Sequence, residues 1–149
     1  MSYYNDRLKS GERLVTVSAA TTLSVGEHDS KILMLDNASG FSITLPQATG
    51  SGARFGFVVK TALTENDYII QVANATDVMA GTVALATDIA GVSVPTTATS
   101  DTITMNGTTK GGAVGSFVEI VDVDTGVFMV TGTIVSTGSE ATPFSAAVS

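Results

Sequence analysis

The sequence predicts an all-β fold, and three observations support that prediction. Short runs rich in Val, Ile, Thr and Phe recur roughly every 8 to 12 residues, each bounded by Gly, Pro, Asn, Asp or Ser. Several runs have a period-two pattern, and in residues 117–122 acids fall among apolar neighbours as a half-exposed strand requires. No window has the i, i+3, i+4, i+7 spacing of an amphipathic helix. Such a pattern is typical of a small antiparallel β-sandwich or barrel, jelly-roll or β-tulip-like in shape.

The predicted strands follow one another from residue 13 onward. In chain order they are RLVTV, KILMLD, FSITL, RFGFVVK, DYIIQVA, GTVALA, GVSV, DTITM, GSFVEIVDV and GVFMVTGTIV. The turn at 124–126, Asp-Thr-Gly, predicts a hairpin that joins 116–123 to 127–135. Residues 65–67 are expected to be its counterpart earlier in the chain. Residues 142–148 predict a final short strand.

The chain nearly repeats itself at an offset of 60 residues, with 38–72 echoed by 98–132. The matching pairs are Ile43 and Ile103, Thr44 and Thr104, Thr49 and Thr109, Gly52 and Gly112, Ala53 and Ala113, Phe57 and Phe117, and Val58 and Val118. These are apolar and turn positions, which indicates that a unit of strand, Gly-rich loop, strand, turn and strand is used twice. The duplicated element is therefore scaffold, and we expect the two units to pack as halves of one sandwich.

The length of 149 residues suits one domain with its own core. Residues 1–20 are predicted to be an extended N-terminal arm, and residues 21–149 a single β domain that contains the repeat. Residues 74–100 are almost uncharged and weakly patterned, so we expect a long excursion between the two copies. A segment of that length inside a domain is usually functional or interfacial.

Composition narrows the possible partners. The formal charge is −7, with +1 in residues 1–60 and −8 in residues 61–149, so a basic footprint for nucleic acid is not expected. No stretch approaches the ~20 apolar residues of a membrane span, no polybasic patch is present, and the N-terminus lacks the apolar run of a secretory signal. Charged residues make up only 14% of the chain, and 37 residues are Ser or Thr. Such a surface suits a subunit that an assembly covers.

Two loops resemble ligand-binding motifs. Residues 50–56 have the glycine pattern of a dinucleotide loop, which needs a following helix whose N-terminus holds the pyrophosphate. Here residues 57–60 predict a strand, so we interpret the loop as a connection between strands. Residues 122–126 resemble the opening of a calcium loop, but the twelfth position, where an acid is needed, is Thr133. A hairpin turn is the favoured interpretation.

No set of residues predicts catalysis or metal binding. His28 is the only histidine, and its neighbours Asp29 and Ser30 are adjacent in sequence, whereas members of a catalytic triad converge from separate elements. With one His and no Cys, a zinc site would have only carboxylates left. The candidate carboxylate sets for glycoside hydrolysis are Glu27, Asp29 and Asp36, or Glu119 and Asp122. Nothing places two of them in one cleft, so we expect no enzymatic activity, metal or cofactor.

The N-terminal arm has the composition of a contact surface. Tyr and Arg are enriched at the centres of protein interfaces, and the arm contains both. The predicted partner-contact residues are Tyr3, Tyr4, Arg7, Leu8 and Arg13. The alternative is a disordered start whose aromatic residues have no partner. An arm that becomes ordered on docking satisfies both interpretations.

Three runs resemble a known class of proteins. Residues 43–52, ITLPQATGSG, followed by a Phe-Val strand, resemble a signature of virion proteins of tailed bacteriophages. Residues 100–112, SDTITMNGTTKGG, and residues 137–144, TGSEATPF, are similar to small head decoration, or cement, proteins of phages from aquatic bacteria. The resemblance covers most of the chain from about residue 30 onward. Elements like ITLP…ATGSG also occur in phage tail fibre proteins.

The resemblance implies a non-enzymatic virion protein on the outer surface of the capsid. Such proteins generally sit as homotrimers at three-fold or quasi-three-fold positions and clamp neighbouring copies of the major capsid protein. The low charge and abundant Thr and Val of this chain agree with large surfaces buried between subunits. The alternative is a tail fibre or receptor-binding β module, which predicts glycan binding and a location at the tail. No fixed motif of contact residues can be carried over from the resemblance.

Overall fold

The computed structural model describes residues 13–149, and their fold is all-β, as predicted. The elements are β1 Leu14–Val17, β2 Thr21–Thr22, α1 Val25–His28, β3 Lys31–Leu35, β4 Phe41–Thr44, β5 Arg54–Val59, β6 Tyr68–Gln71, β7 Val78–Ala86, β8 Gly91–Pro95, β9 Thr102–Met105, β10 Phe117–Asp124, β11 Val127–Val135 and β12 Phe144–Ser145. The single helical turn α1 ends at His28, in a chain for which the sequence predicts no amphipathic helix. Strand β12 confirms the predicted C-terminal strand.

The strands form two sheets. The seven-stranded sheet has the order β1-β3-β5-β10-β11-β7-β8, and the five-stranded sheet has the order β12-β9-β6-β4-β2. From β1 to β7 the chain crosses to the other sheet after every strand. Two sheets that enclose a common core are compatible with the predicted small β-sandwich.

Both sheets are mixed rather than antiparallel, which corrects one part of the prediction. Strands β1, β3 and β5 are parallel in one sheet, and β2, β4 and β6 are parallel in the other. The long strand β7 is also parallel to its neighbour β11. The reason is the repeated crossing between sheets, which returns the chain to each sheet in the same direction. Residue alternation alone does not distinguish parallel from antiparallel neighbours.

The core lies between the inner faces of the two sheets. In the seven-stranded sheet, Leu33, Phe57 and Val118 are register partners across β3, β5 and β10. In the five-stranded sheet, the corresponding row on β4, β6 and β9 is Ile43, Ile70 and Ile103. All these side chains are fully buried and belong to one continuous cluster. Each contributes about 1.5–3 kcal/mol through removal of apolar surface from water.

The two segments predicted to be copies occupy related places. Strands β4 and β9 flank β6 in the five-stranded sheet, while β5 and β10 are direct neighbours in the seven-stranded sheet. Their third strands differ, because β6 crosses to the five-stranded sheet whereas β11 forms the predicted hairpin with β10. No hairpin forms at 65–67, contrary to expectation. The repeat itself stays a prediction.

One matched pair of the repeat faces in opposite directions. Phe57 is buried in the core, whereas Phe117 is 37% exposed on the other side of its sheet. The register explains the difference, because Phe57 lies opposite Val118 and Phe117 lies opposite Val58. An offset of 60 residues is therefore one residue out of step with the pleat at this point.

The segment 74–100 is part of the sheet rather than a loop excursion. Strand β7 pairs along its whole length with β11, and β8 folds back on β7 to form the edge of the seven-stranded sheet. Met79, Val83 and Leu85 point into the core. Small residues between them weaken the alternation in the sequence, which is why the strand was not expected at full length.

Candidate functional site

The predicted contact residues lie at the N-terminal edge of the seven-stranded sheet or before it. Tyr3, Tyr4, Arg7 and Leu8 are outside the described residues. Arg13 is exposed, and its carbonyl oxygen accepts a hydrogen bond from the backbone N–H of Ile32 at 2.7 Å. Residues 14–17, which the sequence assigned to the arm, are strand β1 and pair in parallel with β3. Residue 13 therefore leads into the β1 edge of this sheet.

The seven-stranded sheet has a broad surface that points away from the core, which we call the outer face. Its residues are Leu14, Thr16, Ile32, Met34, Arg54, Gly56, Val58, Ala80, Thr82, Ala84, Phe117, Glu119, Val121, Met129, Thr131 and Thr133. Strand alternation puts these side chains opposite the buried ones. The outer face runs from the β1 edge across both halves of the chain.

An apolar cluster lies on the outer face around Gly56. A Cβ atom at this glycine would stand 3.3 Å from Cε2 of Phe117 and 3.4 Å from Cγ1 of Ile32, so these two side chains border the glycine closely. Leu14 is the register partner of Ile32 and is 49% exposed, while Ile32 is 36% exposed. A contiguous exposed apolar patch of this kind marks an interaction surface more often than single exposed residues do.

The outer face has almost no charge. Among its residues only Arg54 and Glu119 are charged, and they form an ion pair with 2.8 Å between Nη2 and Oε1. The two side chains are 59% and 31% exposed, so the pair contributes about 0–1 kcal/mol to stability. The main electrostatic consequence is that the charges of the outer face cancel.

A second polar site lies where the glycine loop before β5 meets β10. The Asp122 carboxylate accepts hydrogen bonds from the backbone N–H groups of Thr49, Gly50 and Ser51 at 2.8–3.1 Å. The Ser51 hydroxyl donates a further bond at 2.6 Å. Burial of the Asp122 carboxyl opposes its ionisation, but the hydrogen bonds from Ser51, Thr49 and Gly50 outweigh burial and lower its pKa below the usual value.

The contacts of Asp122 bear on both loops that resemble ligand-binding motifs. The glycine loop leads into strand β5 and not into a helix, and its N–H groups already bind the carboxylate of this chain. Asp122 faces hydrogen-bond donors, which is the opposite of what a cation ligand needs. Asp124 accepts from the backbone N–H of Thr125 at 2.7 Å within the β10–β11 turn. Both loops therefore have structural partners within the chain.

The candidate carboxylate pairs do not converge. Glu119 points to the outer face and Asp122 to the inner face of the same strand. Asp36 binds the Lys60 ammonium at 2.6 Å, and hydrogen bonds from Lys60 and then from Thr61 lower the pKa of Asp36. Asp29 accepts from the Arg54 backbone N–H at 2.9 Å.

The remaining predicted polar positions belong to the turn at α1. Glu27 accepts a long hydrogen bond from the Ser24 hydroxyl at 3.4 Å. His28 Nδ1 lies 3.1 Å from the backbone nitrogen of Ser24, at the exposed start of the turn. The Ser30 hydroxyl contacts Asp29 at 3.2 Å. Within residues 13–149 no group of three or more His, Asp and Glu side chains is placed to hold a metal ion.

Sequence reasoning missed two further buried aspartates. Asp77 accepts from the backbone N–H of Ala48 at 2.8 Å. Asp101 accepts from the backbone N–H of Ala147 at 2.8 Å and so holds the C-terminal segment after β12. These partners are 29 and 46 residues away along the chain, so no local motif reveals them.

Comparison of the chain with protein-family models, curated proteins and solved structures finds no match. In the described part of the chain, no helix has the length and hydropathy needed to cross a membrane. The functional proposal therefore depends on this chain's own residues and contacts and on the runs that carry the resemblance to phage proteins.

Proposed function

We propose that this protein is a structural virion protein that decorates the outside of a phage capsid as a homotrimer and clamps neighbouring copies of the major capsid protein. The observation that carries the proposal is the outer face of the seven-stranded sheet, which is broad, apolar around Gly56 and free of net charge. A free domain of this size is normally solvated by mixed charges across such a surface. A subunit of an assembly has this surface covered instead.

The runs that resemble phage virion and decoration proteins occupy connected parts of the fold. Residues 43–52 include the end of β4 and the loop that Asp122 holds, and residues 100–112 include β9 in the same sheet. Residues 137–144 lead into β12, which pairs with β9. The resemblance therefore covers both halves of the five-stranded sheet and is not confined to one loop.

Decoration would stabilise the shell by mass action. A protein that binds only the assembled capsid shifts the equilibrium away from dissociated subunits, by about 2.7 kcal/mol per site when its free concentration is a hundred times the Kd. This role requires contact residues and no catalytic group. The buried carboxylates of Asp77, Asp101 and Asp122 suit it, because each holds a loop or terminus in place.

Deletion of residues 2–12 tests the role of the arm in capsid binding. We expect the shortened protein to keep the β circular dichroism spectrum and to lose occupancy on capsids that lack the decoration protein. Replacing Tyr3 and Tyr4 together by Ala should have the same effect, whereas Asn5→Ala in the same arm is the matched control. Undiminished occupancy after deletion would rule out the arm, and failure of the full chain to bind capsids would rule out the proposed function.

The second candidate is a tail fibre or receptor-binding module, because runs like residues 43–52 also occur in tail fibre proteins. The parallel strands β1, β3 and β5, which return to one sheet by repeated crossing, are compatible with an elongated module as well. Immunogold labelling of virions separates the candidates. Label over the head supports decoration, and label at the tail tip excludes it.

A further inference from the structure

We propose that a second copy of this chain packs on the outer face of the seven-stranded sheet, over the cluster formed by Leu14, Ile32, Met34, Val58 and Phe117. In a closed homotrimer each copy meets its neighbours through two different surfaces. This inference identifies one of them, and to that extent it rests on the proposed function. It also makes a separate claim, which is that copies of the chain contact each other through this cluster in solution, without capsids.

The chemistry of the two faces of the seven-stranded sheet indicates that both are covered. A sheet that covers a core on one side and meets water on the other alternates apolar and polar residues along each strand. Strands β3 and β5 do so only weakly, because Ile32, Met34 and Val58 point outward while their neighbours in sequence are buried. On β10, Phe117 and Val121 point outward on either side of the one acid, Glu119. Strands that are apolar on both sides are typical of sheets with both faces covered.

The net charge of the protein favours another copy of the same chain as the partner. The protein has a formal charge of −7, so two copies repel each other unless they meet where acidic groups are absent or paired. The outer face meets that condition, because its one acid, Glu119, is paired with Arg54 of the same chain. A partner selected by its charge would find no complementary charge here.

The area of the outer face fits an interface between copies. Six spacings between seven strands, at about 4.8 Å each, give a width of about 29 Å, and strands of four to nine residues are about 13–30 Å long. The outer face therefore covers roughly 400–850 Å², and the upper part of this range reaches the ~800 Å² that each partner contributes to a standard interface. Phe117, half-exposed near the middle, is the kind of aromatic anchor on which such interfaces depend.

Ile32→Lys and Ile89→Lys form a matched pair that tests the surface. Both replace an isoleucine by the same cation, but Ile32 lies in the cluster, whereas Ile89 is 99% exposed at the turn between β7 and β8. Sedimentation equilibrium of the full chain at micromolar concentration should show one oligomer for the wild type and for Ile89→Lys. Ile32→Lys should be monomeric, with self-association weakened at least ~100-fold and an unchanged circular dichroism spectrum. An oligomer that survives Ile32→Lys overturns the proposal.

Cross-linking keeps the proposal testable if Ile32→Lys fails to fold. The chain has no cysteine, so Thr131→Cys on the outer face and Thr22→Cys on the exposed edge of the five-stranded sheet can each carry a unique thiol. A maleimide photocrosslinker attached to each thiol should link copies of the first variant and not of the second, whichever surface of the neighbouring copy lies opposite. Equal linking of both variants, or of neither, overturns the proposal.

If something other than a second copy covers the outer face, these experiments give different results. A monomeric wild type whose Thr131→Cys thiol reacts only after deletion of residues 2–12 shows that the chain's own N-terminus covers the outer face, and this overturns the proposal. A monomeric wild type that still fills capsids also overturns it, but leaves the proposed function standing. An oligomer that depends on Ile32 but does not bind capsids supports the surface and removes the function.

Discussion

Within residues 13–149, Asp122 is the side chain that accepts hydrogen bonds from the largest number of backbone N–H groups. Five donor groups converge on its carboxylate, three from backbone N–H groups and two from the Thr49 and Ser51 hydroxyls. They belong to a loop 71–73 residues away in sequence. A buried carboxylate that is fully hydrogen-bonded stabilises a loop that glycine would otherwise leave mobile.

Replacing Asp122 by Asn should destabilise the protein by about 2–4 kcal/mol, because the amide removes the charge and turns an NH₂ group toward backbone donors. Urea denaturation monitored by circular dichroism measures the loss. Glu119→Gln is the matched control on the same strand. It breaks only an exposed ion pair and should cost no more than about 1 kcal/mol. Equal losses in both variants would contradict the structural role of Asp122.

Stability should fall in acid, and Asp122 should account for part of the fall. The pKa values of Asp122 and Asp36 are both lowered in the folded protein, so each stabilises it at a pH above the pKa of an unfolded aspartate, near ~3.9. That contribution is lost as the pH falls from about 4.5 through the lowered folded values. Melting temperatures of the wild type and Asp122→Asn between pH 7 and pH 2 test this. The variant should show the shallower decline, and parallel curves would contradict it.

Among the elements, the β10–β11 hairpin depends on a close approach at Gly132. A Cβ atom there would lie 2.3 Å from the Phe117 carbonyl oxygen and 2.9 Å from the Cα of Val118. Both contacts are with backbone, so no side chain can move aside to relieve them. The glycine therefore allows a closer approach of these two neighbouring strands than a residue with a Cβ atom would.

Gly132→Ala should therefore destabilise the protein by at least about 2 kcal/mol, because the strands must separate or twist to admit the methyl group. Gly26→Ala is the matched control, since nothing lies within 4 Å of its Cβ position. In the helical turn α1 that change should be neutral or stabilising by up to about 1 kcal/mol. Thermal denaturation compares the two, and a neutral Gly132→Ala would show that the approach is not tight.

The hairpin also shows how far the sequence predicts this fold. The Asp-Thr-Gly turn and the alternation of residues 117–122 were enough to predict β10, β11 and their connection. The parallel pairs were not predictable, because alternation reports which face is buried and not which strand lies alongside. The apolar outer face was missed for a similar reason, since Phe117 resembles a core residue until its partner Val58 is known.

At the candidate site, prediction was limited by distance along the chain. The arm residues Tyr3, Tyr4, Arg7 and Leu8 were singled out by composition, and their role stays a prediction. The partners of Asp77, Asp101 and Asp122 lie 29, 46 and 71–73 residues away, so no local pattern indicated the structural role of these aspartates. These buried carboxylates accept hydrogen bonds from residues far away along the chain, and not from a local motif.

The whole molecule divides into two halves that lie side by side. Strands β1 to β6 form one half and β7 to β12 the other, and the halves meet along two antiparallel pairs, β5 with β10 and β6 with β9. The loop at 48–51 belongs to the first half, yet Asp77 and Asp122 of the second half hold it. Neither half can complete its sheets or satisfy this loop without the other.

Separate expression of residues 1–74 and 75–149 tests whether the halves are independent. Each fragment alone would expose two sheet edges and the core residues beside them, among them Phe57 or Val118, and a chain of this size buries too little surface to offset that loss. We expect neither fragment to show a cooperative thermal transition. Co-expressed fragments should associate through the two antiparallel pairs and melt as one unit. If residues 1–74 melt cooperatively on their own, the parallel half is an autonomous module and the continuous core is not needed for its fold.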